Sequence, residues 1–298
     1  MNSINMKKFL TSARPKQILK NLIIFVPYFF TIEKWILLSP EKNLLLLSNM
    51  LLTFLSFTAI SIIGYQINDF MDKEYDKNHP YKKNRPIVSK KISTKEMIFF
   101  ILILILISII SSYAVGLSIM YLIISYFLLS LGYSRILKKI PIIDILCICF
   151  FYILRMLAGT YSIEFEVSMW LYILTFFASL FIILIKRFAE SKKNLDVRYL
   201  EVSTFYSKGF MPNIIKFSLF INIFVYLIYC ISEILSNERN FYFFITYFIF
   251  SFGICRYYQL SSQSNLGESP EDVIMDKYLI SSVVIYLMTL ILVSELNL

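Results

Sequence analysis

Glycine is scarce in this sequence, and the glycine-rich loops that many proteins use to hold phosphate groups are missing. The 298 residues include 7 glycines. Neither G-x-G-x-x-G nor G-x-x-x-x-G-K-[ST] occurs anywhere in the chain. If this chain binds a phosphate, metal ions and lysine or arginine side chains must therefore hold it.

Cysteine and histidine are scarce as well. The chain has four cysteines, Cys147, Cys149, Cys230 and Cys255. All four lie in or beside apolar runs and none forms C-x-x-C, so we predict small packing residues and no disulfide or zinc framework. The single histidine, His79, precedes a proline and is predicted to shape a turn rather than to act as a base.

Charge is also sparse, because charged residues make up 16% of the chain and hydrophobic residues 58%. A typical soluble domain has about 25% charged residues. The apolar residues form runs long enough to cross a bilayer, so an all-α integral membrane protein with nine transmembrane helices is predicted. The runs are roughly 18–38, 44–67, 97–115, 117–134, 141–161, 168–186, 212–233, 240–258 and 278–296. No linker or repeat divides the chain, so residues 1–298 are predicted to be one domain.

Lysine and arginine are distributed as topology signals. Most of them lie in the N-terminal tail and in the second, fourth and sixth connections between apolar runs. The positive-inside rule therefore predicts a cytoplasmic N-terminus and, after nine crossings, an external C-terminus. The motif loops, about 68–96, 135–141, 186–211 and 259–277, would then be cytoplasmic. The net charge of +9 does not indicate nucleic-acid binding, because the bases form no continuous patch.

Charge is densest in residues 68–86, directly after the second apolar run. Asn68, Asp72 and Asp76 are spaced four residues apart, so on a helix they share one face, and Asp69 can join them. Oxygen ligands at this spacing suit a hard cation, Mg²⁺ before Zn²⁺. The alternative is a solvated loop whose acids cap the helix end. The spacing favours the metal site.

Basic residues follow the acidic ones and recur in the other predicted cytoplasmic connections. Lys82 and Arg85 would supply phosphate-binding charge beside the metal. Lys138 lies in a short connection. It could act as a topology signal or as a phosphate ligand, and the sequence leaves both roles open. Lys186 and Glu190 share a helix face at the end of the sixth run, and a surface ion pair is the alternative to a site role.

Asp144 and Arg155 are ionisable residues inside the fifth apolar run. Eleven residues is close to three helical turns, so they share a face ~16 Å apart, too far for an ion pair. Charges inside a span usually face the bundle interior or a polar cavity. We expect Asp144 to join a polar site near the cytoplasmic entrance.

The motif Asn68-Asp69-x-x-Asp72-x-x-x-Asp76 resembles the first Asp-rich motif of the UbiA-type intramembrane prenyltransferase superfamily. Its continuation, His79-Pro80-x-Lys82-x-x-Arg85-Pro86, resembles the decaprenyl-phosphate phosphoribosyltransferase branch. The further matches to that branch are Arg14-Pro15-x-Gln17-x-x-Lys20-Asn21, Tyr133-Ser134-x-x-Leu137-Lys138, Asp144, Leu154-Arg155 with Gly159, Lys186-Arg187-x-x-Glu190, and Gly267-x-x-Pro270-Glu271 with Asp276.

The resemblance implies a UbiA-like fold with its cavity open to the cytoplasmic side of a bacterial plasma membrane. It implies transfer of phosphoribose from 5-phosphoribosyl-1-diphosphate to a polyprenyl phosphate. The expected Mg²⁺ ligands are Asn68, Asp69, Asp72 and Asp76. The expected catalytic residues are Asp72, Asp76, Lys186 and Arg187. The expected substrate-binding residues are Lys20, Lys82, Arg85, Tyr133, Lys138, Asp144 and Glu190.

Two other functions stay open. An ordinary prenyltransferase of the superfamily carries a second Asp-rich motif where this chain has Lys186-Arg187-x-x-Glu190. Two bases there fit an enzyme that handles two phosphorylated substrates. A transporter of polyprenyl-linked lipids would concentrate its charges near the bilayer midplane, on broken helices. Here they concentrate in loops at one face. The acidic residues 268–276 are expected to form a lid or an acceptor contact.

Overall fold

The computed structural model of the chain describes residues 3–77, 82–192, 200–236, 239–263 and 265–295. Within these ranges every regular element is a helix. The turn predicted at His79 lies outside the described residues. The long helices are α1 (Ser3–Ser12), α2 (Pro40–Met71), α3 (Thr94–Val115), α4 (Leu117–Arg135), α5 (Ile143–Ile163), α6 (Met169–Lys192), α7 (Met211–Leu235), α8 (Ile245–Gln263) and α9 (Lys277–Glu295).

Six of the described helices, α2 to α7, are long and apolar enough to cross a membrane. The chain is therefore an integral membrane protein. Helices α8 and α9, with 19 residues each, lie at the last two predicted runs. Nine crossings and the orientation of the termini stay predictions.

The first predicted run, 18–38, does not form one continuous helix. It is divided into Pro15–Ile18, a 3₁₀ turn over Leu19–Phe25, Val26–Phe30 and Ile32–Trp35. Pro27 has no N–H to continue the helical ladder. At Thr31 the backbone leaves the helical region, with φ −112° and ψ 26°.

Local sequence explains the ends of α3 well. Its start is a capping box, in which the Glu96 backbone N–H donates to Ser93 Oγ and the Ser93 N–H donates to Glu96 Oε2. Its end is Gly116, whose φ of 150° is a conformation that favours glycine. The predicted boundary between the third and fourth runs at Gly116 is thus confirmed.

The bundle has an inner apolar core and an outer apolar surface. Helix α2 packs against α3, α4 and α5, and α6 packs against α5 and α7. Buried side chains such as Phe57 and Ile63 on α2 and Phe181 on α6 fill the interior. Large apolar side chains such as Leu106 and Phe220 point outward and are exposed. In a bilayer these outer side chains would face lipid.

Gly159 allows α5 to approach the broken N-terminal segment closely, and this gives a first prediction. A Cβ at Gly159 would lie well inside contact distance of the Ile24 backbone oxygen and 3.0 Å from Pro27 Cγ. Gly159→Ala must push these segments apart, so we expect it to lower the free energy of unfolding by about 1–3 kcal/mol. Thermal unfolding in detergent measures this. Gly209→Ala is the matched control, since a Cβ there would meet nothing within 4 Å. Equal melting temperatures for the two variants would contradict the close approach.

Candidate functional site

A cavity of about 570 Å³ lies at the end of the bundle where α2 and α4 end and α5 begins. Its described lining is rich in bases, with eight basic and three acidic residues. The basic residues are Arg14, Lys20, Lys82, Arg85, Lys138, Arg155, Lys186 and Arg187, and the acidic residues are Asp72, Glu190 and Glu268. A cavity with this charge excess suits ligands that carry several negative charges.

Lys138 joins the first motif to the end of α4. The 3₁₀ turn Leu137–Lys139 follows α4 and turns Lys138 inward, so that it is 8% exposed. Its ammonium donates to Asn68 Oδ1 at 3.0 Å and to the two Asp72 carboxylate oxygens at 2.9 and 2.8 Å. Asn68 and Asp72 thus turn oxygen atoms toward the cavity, and a cationic group already lies between them.

Asp69 and Asp76 are almost fully buried and have other basic partners. Arg85 Nη1 donates to Asp69 Oδ1 at 2.9 Å and to Asp76 Oδ2 at 2.8 Å, and Arg14 also bonds Asp69. Helix α2 ends at Met71, and Asp72 has ψ near 2° before the next short turn begins. Backbone bonds from the Asp72 N–H to the Asn68 oxygen and from the Asp76 N–H to the Asp72 oxygen keep the helical four-residue spacing across this point. The predicted set of four metal ligands stays a prediction.

The donor atoms at the cavity fit a hard cation. No cluster of three or more His, Cys, Asp or Glu side chains poised for a metal occurs among the described residues. The cavity instead offers the Asn68 amide oxygen and the Asp72 carboxylate. Mg²⁺ accepts such a small set of protein oxygens and completes its shell with water and substrate phosphates. The residues present therefore fit Mg²⁺ bound together with a phosphorylated substrate.

Arg187 connects three helices on another wall of the cavity. Its Nε donates to Asp144 Oδ2 at 2.7 Å, Nη1 to Glu190 Oε2 at 2.7 Å, and Nη2 to Tyr133 Oη at 2.9 Å. Tyr133, Arg187 and Glu190 line the cavity, whereas Asp144 lies behind Arg187 and is fully buried. Asp144 is thus placed as a counter-ion that orients the guanidinium.

Tyr206 is a residue of this wall that sequence reasoning missed. It lies on the short helix Leu200–Tyr206, and its hydroxyl donates to Asp144 Oδ1 at 2.6 Å. Burial, together with the hydrogen bond to Asp144, raises the pKa of the Tyr206 hydroxyl, so it stays a donor. The paired aromatics Phe205 and Tyr206, in an otherwise polar connection, were the available signal.

Lys20 contacts the acidic connection that follows α8, and the charge of Lys186 also acts on it. Lys20 Nζ lies 3.1 Å from Glu271 Oε1, and Lys186 Nζ lies 3.9 Å from Glu190 Oε1. Burial acts to raise the pKa of Glu271, but the charges of Lys20 and Lys186 outweigh it and hold that pKa below its ordinary value. Gly267 packs this connection onto α6, since a Cβ there would lie 3.1 Å from Ala189 Cβ. Residues Glu268 and Ser269 reach the cavity lining.

These features define a class of protein, a helical membrane protein with a basic cavity, suited to phosphorylated ligands, at one end of its bundle. The sequence profile of the UbiA prenyltransferase family matches residues 26–273. The chain therefore belongs to the UbiA prenyltransferase family, and it is a membrane transferase of that type. The family resemblance found in the motifs is confirmed.

Two curated relatives match parts of the chain. Decaprenyl-phosphate phosphoribosyltransferase of Corynebacterium glutamicum is 30% identical over 181 residues, which is 60% of this chain and 53% of that protein. Nodulation protein NoeC of Azorhizobium caulinodans is 29% identical over 148 residues, which is 50% of this chain and 46% of that protein. The chain spans about half the length of these two relatives.

A solved structure matches nearly the whole chain. A UbiA homolog from Archaeoglobus fulgidus, bound to GPP and Mg²⁺, has a TM-score of 0.69 and 16% identity. The match covers 97% of this chain and 99% of that one. At this identity the likeness shows the fold, so the predicted UbiA-like, all-α architecture is confirmed.

Proposed function

We propose that the chain transfers 5-phosphoribose from 5-phosphoribosyl-1-diphosphate to a polyprenyl phosphate and releases pyrophosphate. The observation that carries this proposal is the excess of bases in the cavity. Two phosphorylated substrates bring more negative charge than one diphosphate and a neutral or carboxylate acceptor. The similarity to the phosphoribosyltransferase of Corynebacterium glutamicum supports the same conclusion.

The first motif would hold the metal and the donor diphosphate. Asn68 and Asp72 face the cavity and are the proposed direct Mg²⁺ ligands. Asp69 and Asp76 would join them when Arg85 turns from these carboxylates to a substrate phosphate. Mg²⁺, when bound, would neutralise the diphosphate and stabilise the departing pyrophosphate. Lys138, next to Asp72, would contact the same diphosphate.

The remaining bases would form two groups, one that binds the donor and one that binds the acceptor phosphate. Lys82 and Arg85 follow the first motif and would bind the donor. Lys20, Lys186 and Arg187 also line the cavity and would bind the acceptor phosphate. The side chains of Tyr133, Asp144 and Glu190 would orient the Arg187 guanidinium.

The reaction joins the acceptor to the sugar carbon. One oxygen of the polyprenyl phosphate attacks C1 of the ribose, and the bond from C1 to the diphosphate oxygen breaks. The acceptor phosphate is already ionised at neutral pH, so no general base is needed. The lysine and arginine side chains hold both phosphates in line and stabilise the charge that moves to pyrophosphate.

The site would belong to one domain, residues 1–298, in a bacterial plasma membrane. Its motif loops, about 68–96, 135–141, 186–211 and 259–277, would face the cytoplasm, where the donor is made. The N-terminus would be cytoplasmic and the C-terminus external. The partners are then the two substrates and the lipid bilayer, with no nucleic acid.

Prenyl transfer is the second candidate, favoured by the fold likeness to a homolog solved with GPP and Mg²⁺. One experiment separates the two. Purified protein in detergent with Mg²⁺ receives radiolabelled 5-phosphoribosyl-1-diphosphate and a polyprenyl phosphate, and label entering the lipid phase is followed. We expect lipid labelling that EDTA abolishes. A folded preparation that leaves this donor untouched, yet transfers geranyl from its diphosphate to an aromatic acceptor, would overturn the proposal.

A further inference from the structure

Arg155 carries a buried positive charge whose described partners are all neutral. It lies midway along α5 and is 3% exposed. Its Nε donates to Asn21 Oδ1 at 2.6 Å, Nη1 to the Phe151 carbonyl at 2.9 Å, and Nη2 to Tyr126 Oη at 2.7 Å. No carboxylate forms an ion pair with it in the part of the chain that the structure describes. A buried charge inside a span, without a counter-ion, is costly and typically marks a functional site.

Hydroxyl groups surround this guanidinium where it meets the cavity. We call the group the polar floor, and it consists of Arg155, Ser61, Tyr65, Tyr126, Ser130 and Tyr152. The Tyr126 and Tyr152 rings pack on the Arg155 guanidinium, with its carbon 4.9 and 5.7 Å from their centroids. The hydroxyls of Tyr65 and Tyr152 have no hydrogen-bond partner among the described residues. They are therefore available to a ligand in the cavity.

The polar floor lies deeper in the bundle than the first motif. Ser61 precedes Asp72 by 11 residues on α2, and Arg155 follows Asp144 by 11 residues on α5. At 1.5 Å per residue, both are ~16 Å along the helices from the motif end of the cavity. Arg155 Nη2 lies 3.5 Å from Ser61 Oγ, so the two helices bring these residues to one level.

The polar floor has the wrong chemistry for an apolar chain. A prenyl tail placed there would cover the hydroxyls of Tyr65 and Tyr152 without offering them a hydrogen bond, and leaving such groups unsatisfied is costly. A sugar phosphate offers what this surface needs, an anion for the guanidinium and ribose hydroxyls for the tyrosines. Arginine is well suited to phosphate, because its planar fork presents several N–H groups.

We propose that the polar floor is a subsite for the ribose 5-phosphate part of the donor. Arg155 binds the 5-phosphate, and Tyr65 and Tyr152 contact the ribose hydroxyls. The diphosphate at the other end of the same molecule stays at Asn68 and Asp72. The assignment rests on the proposed function and deepens it, because it separates the donor's two phosphate groups along the cavity and leaves the polyprenyl tail outside the floor.

The test measures binding of two fragments of the donor, so that it does not depend on turnover. Isothermal calorimetry in detergent is run with ribose 5-phosphate and, with Mg²⁺, with inorganic pyrophosphate. We expect Arg155→Gln to weaken ribose 5-phosphate binding by about 10- to 100-fold while pyrophosphate binding changes by less than about twofold. Tyr152→Phe is expected to weaken ribose 5-phosphate binding by about fivefold. Tyr161→Phe is the matched control, since Tyr161 lies on the same helix and is 54% exposed.

The tyrosine variants keep the test decisive if Arg155→Gln fails to fold. Tyr65→Phe and Tyr152→Phe remove no hydrogen bond among the described residues, so both are expected to unfold at the wild-type temperature. If both bind ribose 5-phosphate as tightly as wild type, or if each folded variant weakens both fragments equally, the subsite is wrong. Wild-type transfer from 5-phosphoribosyl-1-diphosphate would then still support the proposed function. Wild type that binds neither fragment and transfers geranyl instead would overturn both.

Discussion

Asp72→Ala is expected to lower the rate of Mg²⁺-dependent transfer by about 10²- to 10³-fold. The Asp72 carboxylate lines the cavity and accepts from Lys138 beside the Asn68 amide oxygen. Its loss removes a proposed metal ligand and leaves the Lys138 ammonium without that carboxylate. Initial rates measured across a range of Mg²⁺ concentrations test this. We expect both a lower maximal rate and a higher Mg²⁺ requirement.

Two further variants make the Asp72 result specific. Glu74→Ala removes one negative charge two residues away, where the Glu74 side chain is 75% exposed and pairs with Lys77. That variant should keep close to the wild-type rate. Asp72→Asn keeps the shape of the side chain and one oxygen, so it should fall between wild type and Asp72→Ala. A wild-type rate for Asp72→Ala, or an equal loss of rate in Glu74→Ala, would contradict a metal site at this motif.

The elements that the sequence predicted well are those set by local rules. The boundary at Gly116 follows from the conformation that glycine permits, and long apolar runs such as the one inside α2 follow from composition. The prediction of one continuous helix over 18–38 was wrong. It rested on apolar composition and did not take account of Pro27 or of the packing of this segment against α5. Apolar composition identifies burial in a membrane, but not the path of the backbone.

The arrangement of the first motif required tertiary information. Spacing alone placed Asn68, Asp72 and Asp76 on one face, but it could not predict their partners. Asn68 and Asp72 accept from Lys138, whereas Asp76 accepts from Arg85. Arg85 bonds both of the buried carboxylates, Asp69 and Asp76. Sequence spacing identified the residues of a charged site. The pairing among their side chains depends on Arg85, which comes later in the chain.

The second polar motif illustrates a competition that spacing could not resolve. The i,i+4 rule paired Lys186 with Glu190, yet these groups are 3.9 Å apart while Arg187 bonds Glu190 at 2.7 Å. Arg187 prevails because its fork can also reach Asp144 on α5 and Tyr133 on α4. Contacts between residues more than 40 positions apart cannot be read from helical periodicity. They determine that Arg187, rather than Lys186, is the base held by several partners.

Arg187→Met is expected to lower the free energy of unfolding by about 3–5 kcal/mol, because it leaves the fully buried Asp144 carboxylate without its ionic partner. Chemical unfolding in detergent measures the change. Arg135→Met is the matched control, since Arg135 ends α4 and is exposed. That variant should differ from wild type by less than about 0.5 kcal/mol.

A double-mutant cycle identifies the cause of the Arg187 effect. Asp144→Asn removes the buried charge and keeps a group that can accept from Tyr206, so adding it to Arg187→Met should restore part of the lost stability. The double variant should fold and still transfer poorly, because Arg187 is a proposed ligand of the acceptor phosphate. If Asp144→Asn lowers stability further in the Arg187→Met background, the two residues do not act as an ion pair. If Arg187→Met is as stable as Arg135→Met, Arg187 does not stabilise the fold. Its three hydrogen bonds would then serve only to orient it for the substrate.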